Sequence, residues 1–206
     1  IGYQFMPTQL LNLDKSFKKE IAKPPGDLTS LITDASGKYI FLSSKDKHWL
    51  YDSLGNAISN NQVNPYRFSR IGEISSAIFS PNGQSILTGA FKKATLWGLT
   101  GLKRTEFIGH SDDIHYLKFA PSQEHIITAS RDNTAILWDI KGNIVQSFVG
   151  HTKPIFSIDF AEDGKSITTY SRDNTVREWQ LNNSIDKTNY KAKTEVTSIS
   201  YSLDGK

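Results

Sequence analysis

The chain has 206 residues, of which 37% are hydrophobic and 11% aromatic, enough apolar material for a packed core. Its 24 basic and 21 acidic residues give a net charge of +3, which argues against a nucleic-acid or membrane partner held by charge alone. The absence of cysteine excludes disulfides and thiolate metal sites, and no apolar run approaches the roughly 20 residues that span a bilayer. We expect a cytoplasmic location and no membrane partner.

The first 108 residues contain weak signals of a repeated unit. Residues 1–25 have the pattern of the last strands of one unit. In residues 26–68 a turn at 34–38 precedes an apolar run in which Tyr51 occupies a position that is Trp in later units. In residues 69–108 the turn segment Ser-Pro-Asn-Gly-Gln at 80–84 precedes a run that ends at Trp97.

The clearest units are residues 109–149 and 150–191, which are near copies of each other. The offset between them is 41 residues both at the His pair (151 − 110) and at the Trp pair (179 − 138). Residues 192–206 match the start of a further unit. A fixed period in this range is typical of a repeat array.

Each clear unit contains four short apolar runs separated by turn residues. In the first of them the turns lie at 120–123, 131–134 and 141–143, and the runs are Ile114–Phe119, 126–128, 135–138 and Ile144–Phe148. No window shows a sustained helical period. We therefore predict an all-β protein of four-stranded antiparallel units, the layout of a β-propeller blade, with four complete blades and partial blades at both ends.

These residues resemble the WD-repeat β-propeller family. The resemblance covers about residues 26–206, and the motifs that carry it are Gly109-His110, Gly150-His151, Ser130-x-Asp132, Ser171-x-Asp173 and Trp138-Asp139. Lys141-Gly142-Asn143 is similar to repeat arrays of bacterial multidomain proteins, which favours a portion of a longer protein. The resemblance favours a ring of about seven blades of which this chain is a portion, because rings with few blades are uncommon in the family. Two alternatives stay open, namely a ring of five blades that closes by itself and the end-to-end association of two copies through open blade edges.

The resemblance implies a buried hydrogen-bonded set in each clear unit. Its members would be His110, Ser130, Asp132 and Trp138 in one unit, and His151, Ser171, Asp173 and Trp179 in the next. The carboxylate would accept from the imidazole, and the hydroxyl would lie between the imidazole and the indole N–H. The two earlier units lack most of this set, having Arg70 at the His position and Tyr51 at the Trp position. We expect apolar packing to hold those two units together.

Ser, His and Asp together also occur in nucleophilic catalysis. Their recurrence at the same place in successive modules, together with a Trp, favours an architectural role instead. The other histidines, His48, His115 and His125, show no ligand spacing. We expect no enzyme activity, no cofactor, no metal and no small-molecule substrate.

The resemblance also implies exposed positions on one rim of the propeller, where a protein or peptide partner would bind. Carried onto this chain they are Lys45, Glu73, Phe91, Asp113, His115, Arg131, Pro154, Phe156 and Arg172. Aromatic and arginine side chains are common energetic centres of interfaces. The competing interpretation is that Asp113 and Arg131 form a surface ion pair of little energetic value.

The predicted function is a non-catalytic scaffold that presents rim loops to a protein or peptide. Two other functions stay open at this point. One is the sensor or regulatory arm of a larger signalling protein, and the other is a nucleic-acid-binding propeller, against which the even charge balance argues.

Overall fold

The computed structural model describes residues 9–11, 17–20, 28–44, 48–58, 73–181 and 186–191. Within these ranges the regular elements are short strands. No helix in the described residues is long and apolar enough to cross a membrane. The strands are β1 (Gln9–Leu11), β2 (Phe17–Glu20), β3 (Leu28–Thr33), β4 (Tyr39–Ser44), β5 (His48–Asp52), β6 (Ser76–Phe79), β7 (Ser85–Ala90), β8 (Lys93–Gly98), β9 (Lys103–Ile108), β10 (Ile114–Phe119), β11 (His125–Ser130), β12 (Ala135–Asp139), β13 (Ile144–Phe148), β14 (Ile155–Phe160), β15 (Ser166–Ser171), β16 (Thr175–Gln180) and β17 (Asp186–Lys191).

The strands form successive antiparallel sheets in chain order. Sheet A contains β3–β5, sheet B β6–β9, sheet C β10–β13 and sheet D β14–β17, and β1 pairs with β2 separately. The all-β prediction is confirmed, and the four runs predicted for the clear unit correspond to β10–β13. A fourth strand of sheet A would fall in residues 59–72, and a strand in 192–206 would follow sheet D; both lie outside the described residues.

Each sheet packs face to face against the next one, an arrangement consistent with a β-propeller. Apolar clusters join A to B, B to C, and C to D, and the last of these contains Leu137 and Phe148 from sheet C with Ile158 and Trp179 from sheet D. Side chains alternate along a strand, so Ile126 packs toward sheet B while Ile127 packs toward sheet D. The middle strands β11 and β12 are therefore buried on both faces over most of their length.

At one end of the sheets, the loop that enters a sheet lies beside the turn between the second and third strands of the same sheet. We call this end the rim. There the Arg131 N–H donates to the carbonyl of Asp113 over 2.9 Å, and the Arg172 N–H donates to that of Pro154 over 3.0 Å. These bonds join the loop before β10 to the β11–β12 turn, and the loop before β14 to the β15–β16 turn. The short turns of the other hairpins lie at the opposite end, as the antiparallel order requires.

Candidate functional site

Sheet C contains a buried chain of polar side chains, which we call the sheet C network. His110 Nδ1 lies 2.8 Å from Asp132 Oδ2, and His110 Nε2 lies 2.8 Å from Thr128 Oγ1. The Trp138 indole N–H donates to the same Thr128 oxygen over 2.9 Å. With the imidazole proton on Nδ1, the indole donates to Thr128, the Thr128 hydroxyl to His110, and His110 to Asp132. Each of these buried polar atoms then has a partner.

Sheet D contains a second network with the same geometry. His151 Nδ1 lies 2.9 Å from Asp173 Oδ2, and His151 Nε2 lies 2.8 Å from Thr169 Oγ1. The Trp179 indole N–H donates to Thr169 over 2.8 Å. The side chains of both network histidines, His110 and His151, are completely buried.

The prediction that Ser130 and Ser171 supply the hydroxyl between imidazole and indole is wrong. Ser130 lies at the end of β11, where its hydroxyl donates to the Asp112 carbonyl over 2.9 Å and accepts from the Asp132 N–H over 3.1 Å. Ser171 makes the equivalent bonds, to the Lys153 carbonyl over 2.7 Å and from the Asp173 N–H over 3.1 Å. These serines fix the turn that positions the carboxylate, and they are too far along the strand to meet the indole.

The residues missed by the sequence prediction are Thr128 and Thr169. Each follows the network His by 18 residues, and each lies two residues before the Ser on the same face of its strand. A Thr that recurs at the same place in successive units was the available signal, because a buried hydroxyl needs partners.

Asp132 organises the β11–β12 turn as well as the imidazole. Its carboxylate accepts from the Ser111 N–H over 2.9 Å, from the Thr134 N–H over 2.9 Å and from the Thr134 hydroxyl over 2.6 Å. Burial alone would raise the pKa of Asp132, but hydrogen bonds from His110, Thr134 and the Ser111 N–H outweigh it and hold the pKa well below 3.8. At Asp173 burial likewise acts to raise the pKa, and hydrogen bonds from Thr175, the Thr152 N–H and His151 outweigh it and lower the pKa.

Gly109 packs directly against the indole that the sheet C network holds. A Cβ at this position would lie 2.8 Å from Trp138 Cη2 and 3.3 Å from Ile144 Cδ1. Because the Trp138 ring is fully buried, it has little room to move. We expect Gly109→Ala to lower the free energy of unfolding by about 1–3 kcal/mol, measured by chemical denaturation.

The matched control for this substitution is Gly150→Ala in sheet D. There a Cβ would meet Nη1 and Cζ of Arg177 at 2.5 and 3.2 Å, atoms at the end of a long side chain that can shift more readily than an indole ring, and Trp179 Cη2 only at 3.3 Å. The loss should be clearly smaller than for Gly109→Ala. Equal losses in the two variants would contradict the contact with Trp138 as the reason for glycine.

Sheets A and B each keep fewer of the network residues than sheets C and D do, and sheet B keeps more of them than sheet A. In sheet B the Trp97 indole N–H still donates to Thr88 Oγ1 over 2.9 Å, so one bond of the network adds to the apolar packing that we expect to be the main contribution there. In sheet A, Tyr51 pairs with Ile40 in the register that the Trp residues occupy elsewhere, and Leu42 stands at the Thr position. Arg70 lies outside the described residues.

Four rim side chains form a row across the boundary between sheets C and D, which we call the ladder. The Arg131 Nε–H donates to His115 Nε2 over 2.7 Å. The His115 ring stacks on the Phe156 ring, with centroids 5.9 Å apart and planes 28° from parallel. The Arg172 guanidinium carbon lies 4.4 Å from the Phe156 centroid, within the range of a cation–π contact. Both arginines are exposed, and both rings are half-buried.

His115 is neutral in this arrangement, because its Nε2 accepts from Arg131 and its proton must be on Nδ1. Burial lowers the pKa of His115, and the charges of Arg131 and Arg172 lower it further. The carboxylates of Asp113 and Asp112 act in the opposite direction without reversing the shift.

The other predicted rim residues are less closely grouped. Phe91 is 59% exposed and has a left-handed φ of 52°, which a bulky residue rarely adopts, and its carbonyl accepts from the Ile114 N–H over 2.7 Å. Glu73 is exposed, and Lys45 lies outside the described residues. Asp113 and Pro154 contribute their carbonyls to the rim bonds described above.

The competing interpretation paired the side chains of Asp113 and Arg131. In the structure the Arg131 Nε–H is directed to His115, and the bond between Arg131 and Asp113 joins only their backbones. No group of three or more His, Asp or Glu side chains that could hold a metal ion occurs in the described ranges.

Comparison with protein families gives two matches, both to the WD domain, G-beta repeat (WD40), at residues 101–139 and 142–180. These two stretches are therefore WD repeats, a type of repeat that generally mediates protein–protein interaction and is typically non-enzymatic. A comparison with curated proteins found no match.

The matched repeats are shifted by one strand relative to the sheets. The stretch 101–139 begins with β9, the outer strand of sheet B, and continues through β10, β11 and β12 of sheet C. The stretch 142–180 likewise begins with β13 and continues into sheet D. Each repeat therefore contributes strands to two sheets and links them covalently.

Proposed function

We propose that the protein is a non-catalytic scaffold that binds a peptide or protein partner on its rim. In this proposal the sheets are blades of a β-propeller that span residues 26–68, 69–108, 109–149 and 150–191. Partial blades would occupy residues 1–25 and 192–206.

The observation that carries the proposal is the ladder. Its side chains come from two adjacent sheets and contact one another at the surface, outside the apolar clusters that hold the sheets together. Arginine and aromatic side chains in such clusters are frequent hot spots of binding. Phe91, exposed on the next loop of the same rim, would extend the surface with an apolar contact.

The buried position of the networks supports a non-catalytic role for their His and Asp residues. The imidazoles of His110 and His151 are completely buried, and both ring nitrogens have partners within the protein. A nucleophile–base pair must be open to a substrate. The two networks instead link a turn to a core tryptophan, which accounts for their repetition.

Rim variants should reduce partner binding without changing the fold. We expect Phe156→Ala and Arg172→Glu each to weaken capture of the same partner by about tenfold or more, since an interface hot spot contributes roughly 2 kcal/mol. The measurement is quantitative affinity capture from a lysate of the source cells, followed by titration of the proteins that are recovered.

Lys165→Glu is the matched control, because Lys165 is exposed on the turn between β14 and β15 at the opposite end of the same sheet. It makes the same charge change as Arg172→Glu. Proteins lost from both rim variants and retained by Lys165→Glu support the proposal. Normal binding by both rim variants, with loss in the control, would assign the interface to the opposite end.

A further inference from the structure

Phe91 lies at the tip of the hairpin that joins β7 to β8, in a backbone conformation that favours glycine. Ala90 pairs with Lys93, so the turn consists of Phe91 and Lys92 alone. Two-residue hairpin turns have a positive φ at the first of these residues, a position that Gly or Asn normally occupies. The φ of Phe91 is 52°, which brings its Cβ close to its own backbone. A phenylalanine therefore costs the chain stability at this position.

The other non-glycine residues with a left-handed φ in the described part of the chain have a local reason for their identity. Asn133 and Asn174 lie in the corresponding turns of sheets C and D, with φ of 71° and 63°, and asparagine tolerates this conformation. Gln123, with a φ of 62°, accepts the Asn82 N–H through its side-chain oxygen over 3.2 Å and so links sheet C to sheet B.

The ring of Phe91 has no comparable structural role among the described residues. It is 59% exposed, and the apolar clusters that join the described sheets do not include it. The backbone below the ring is nevertheless fixed, because the Phe91 carbonyl accepts the Ile114 N–H of sheet C over 2.7 Å. An aromatic side chain has only two χ angles and loses little entropy when it is bound. The chain thus presents a rigid, exposed ring from a fixed turn.

We propose that the Phe91 ring is the anchor of the rim and inserts into an apolar pocket of a folded partner protein. This inference rests on the proposed function and specifies the kind of partner. A side chain at the tip of a turn is convex, so only a concave surface removes its remaining contact with water. A folded domain provides such a pocket, whereas a linear peptide lying across the rim covers one side of the ring. Binding through the ring accounts for a phenylalanine where asparagine would give a more stable chain.

The first measurement is chemical denaturation of the full chain. We expect Phe91→Asn to raise the denaturant midpoint, since asparagine adopts a positive φ more readily. Leu102 is the matched control, because its side chain is 52% exposed at the opposite end of sheet B and its φ lies outside the left-handed region. Leu102→Asn should not raise the midpoint. A midpoint that fails to rise with Phe91→Asn would overturn the inference, because the ring would then contribute to the fold itself.

The second measurement is titration of the proteins recovered by the affinity capture described above. We expect Phe91→Asn to weaken binding of a recovered partner about tenfold or more, although this variant is the more stable chain. Leu102→Asn should bind as the unmodified chain does. Proteolytic fragments of the partner that no longer fold should not bind, because the pocket requires the folded domain.

The outcomes separate this inference from the proposed function. A partner that is lost from Phe156→Ala or Arg172→Glu but retained by Phe91→Asn would overturn the inference and leave the scaffold proposal standing. A linear fragment that binds as tightly as the intact partner would overturn the pocket and also leave the scaffold. A partner retained by all three rim variants, or the recovery of no protein whose capture depends on them, would overturn both.

Discussion

Replacing Thr128 by Val should lower the free energy of unfolding by about 2–6 kcal/mol, measured by chemical denaturation. Valine has nearly the same shape, so the core stays filled while the hydroxyl is lost. Both the Trp138 indole N–H and His110 Nε2 then lose a partner at 2.9 and 2.8 Å, respectively. Each buried polar group left without a partner costs about 1–3 kcal/mol.

Two control variants make this prediction specific. Thr88→Val in sheet B removes the bond from the Trp97 N–H and a long bond of 3.5 Å to the Thr95 carbonyl, but no bond to an imidazole, so the expected loss is smaller, about 1–3 kcal/mol. Ser130→Ala removes the bonds to the Asp112 carbonyl and from the Asp132 N–H at the edge of the turn, for which we expect about 1–2 kcal/mol. If Ser130→Ala proved more damaging than Thr128→Val, the assignment of the central hydroxyl would be wrong.

Asp132→Ala should lower the free energy of unfolding at neutral pH by about 3–5 kcal/mol. The carboxylate accepts from His110, from the Ser111 N–H and from both donors of Thr134. Hydrogen bonds to a charged group contribute about 1.5–3 kcal/mol each, and water replaces part of them near the surface. Removing one member of a buried pair leaves the other without compensation.

The same variant should change the response to acid. Because the pKa of Asp132 is lower in the folded chain than in the unfolded one, the unfolded chain binds more protons as the pH falls below about 4. The stabilisation is fully present above the ordinary value of 3.8 and is lost as the pH falls toward the folded-state pKa. Denaturation between pH 3 and 7 should therefore show a shallower acid loss for Asp132→Ala. An unchanged slope would contradict the lowered pKa.

The strands of sheet C could be predicted from the sequence because apolar runs and turn residues alternate at short intervals. The turn residues 131–134 and 141–143 lie where β11, β12 and β13 end or begin. The imidazole–carboxylate pair was also expected, as an implication of the family resemblance, and the structure contains it in both sheets. The hydroxyl did not follow, because Thr128 and Ser130 lie on the same face and spacing does not say which of them an indole ring reaches.

The ladder shows a second limit of sequence prediction. His115 and Phe156 occupy the same position in successive units, and the family resemblance implied that this position lies on the rim. Their stacking depends on how closely sheet D approaches sheet C, a quantity that periodicity along the chain does not contain. The competing interpretation, in which Arg131 pairs with Asp113, considered one unit by itself, whereas the structure connects Arg131 through His115 to the next sheet.

The one-strand shift between repeat and sheet determines where the protein can be shortened. A truncation after Asp139 respects the matched repeat but removes β13, so that the edge of β12 and the apolar surface normally covered by Phe148 become open to aggregation. A truncation between residues 149 and 150 keeps all four strands of sheet C. A fragment should therefore be soluble when it ends after the fourth strand of a sheet. A boundary taken from the matched repeat alone would leave the last sheet without its fourth strand.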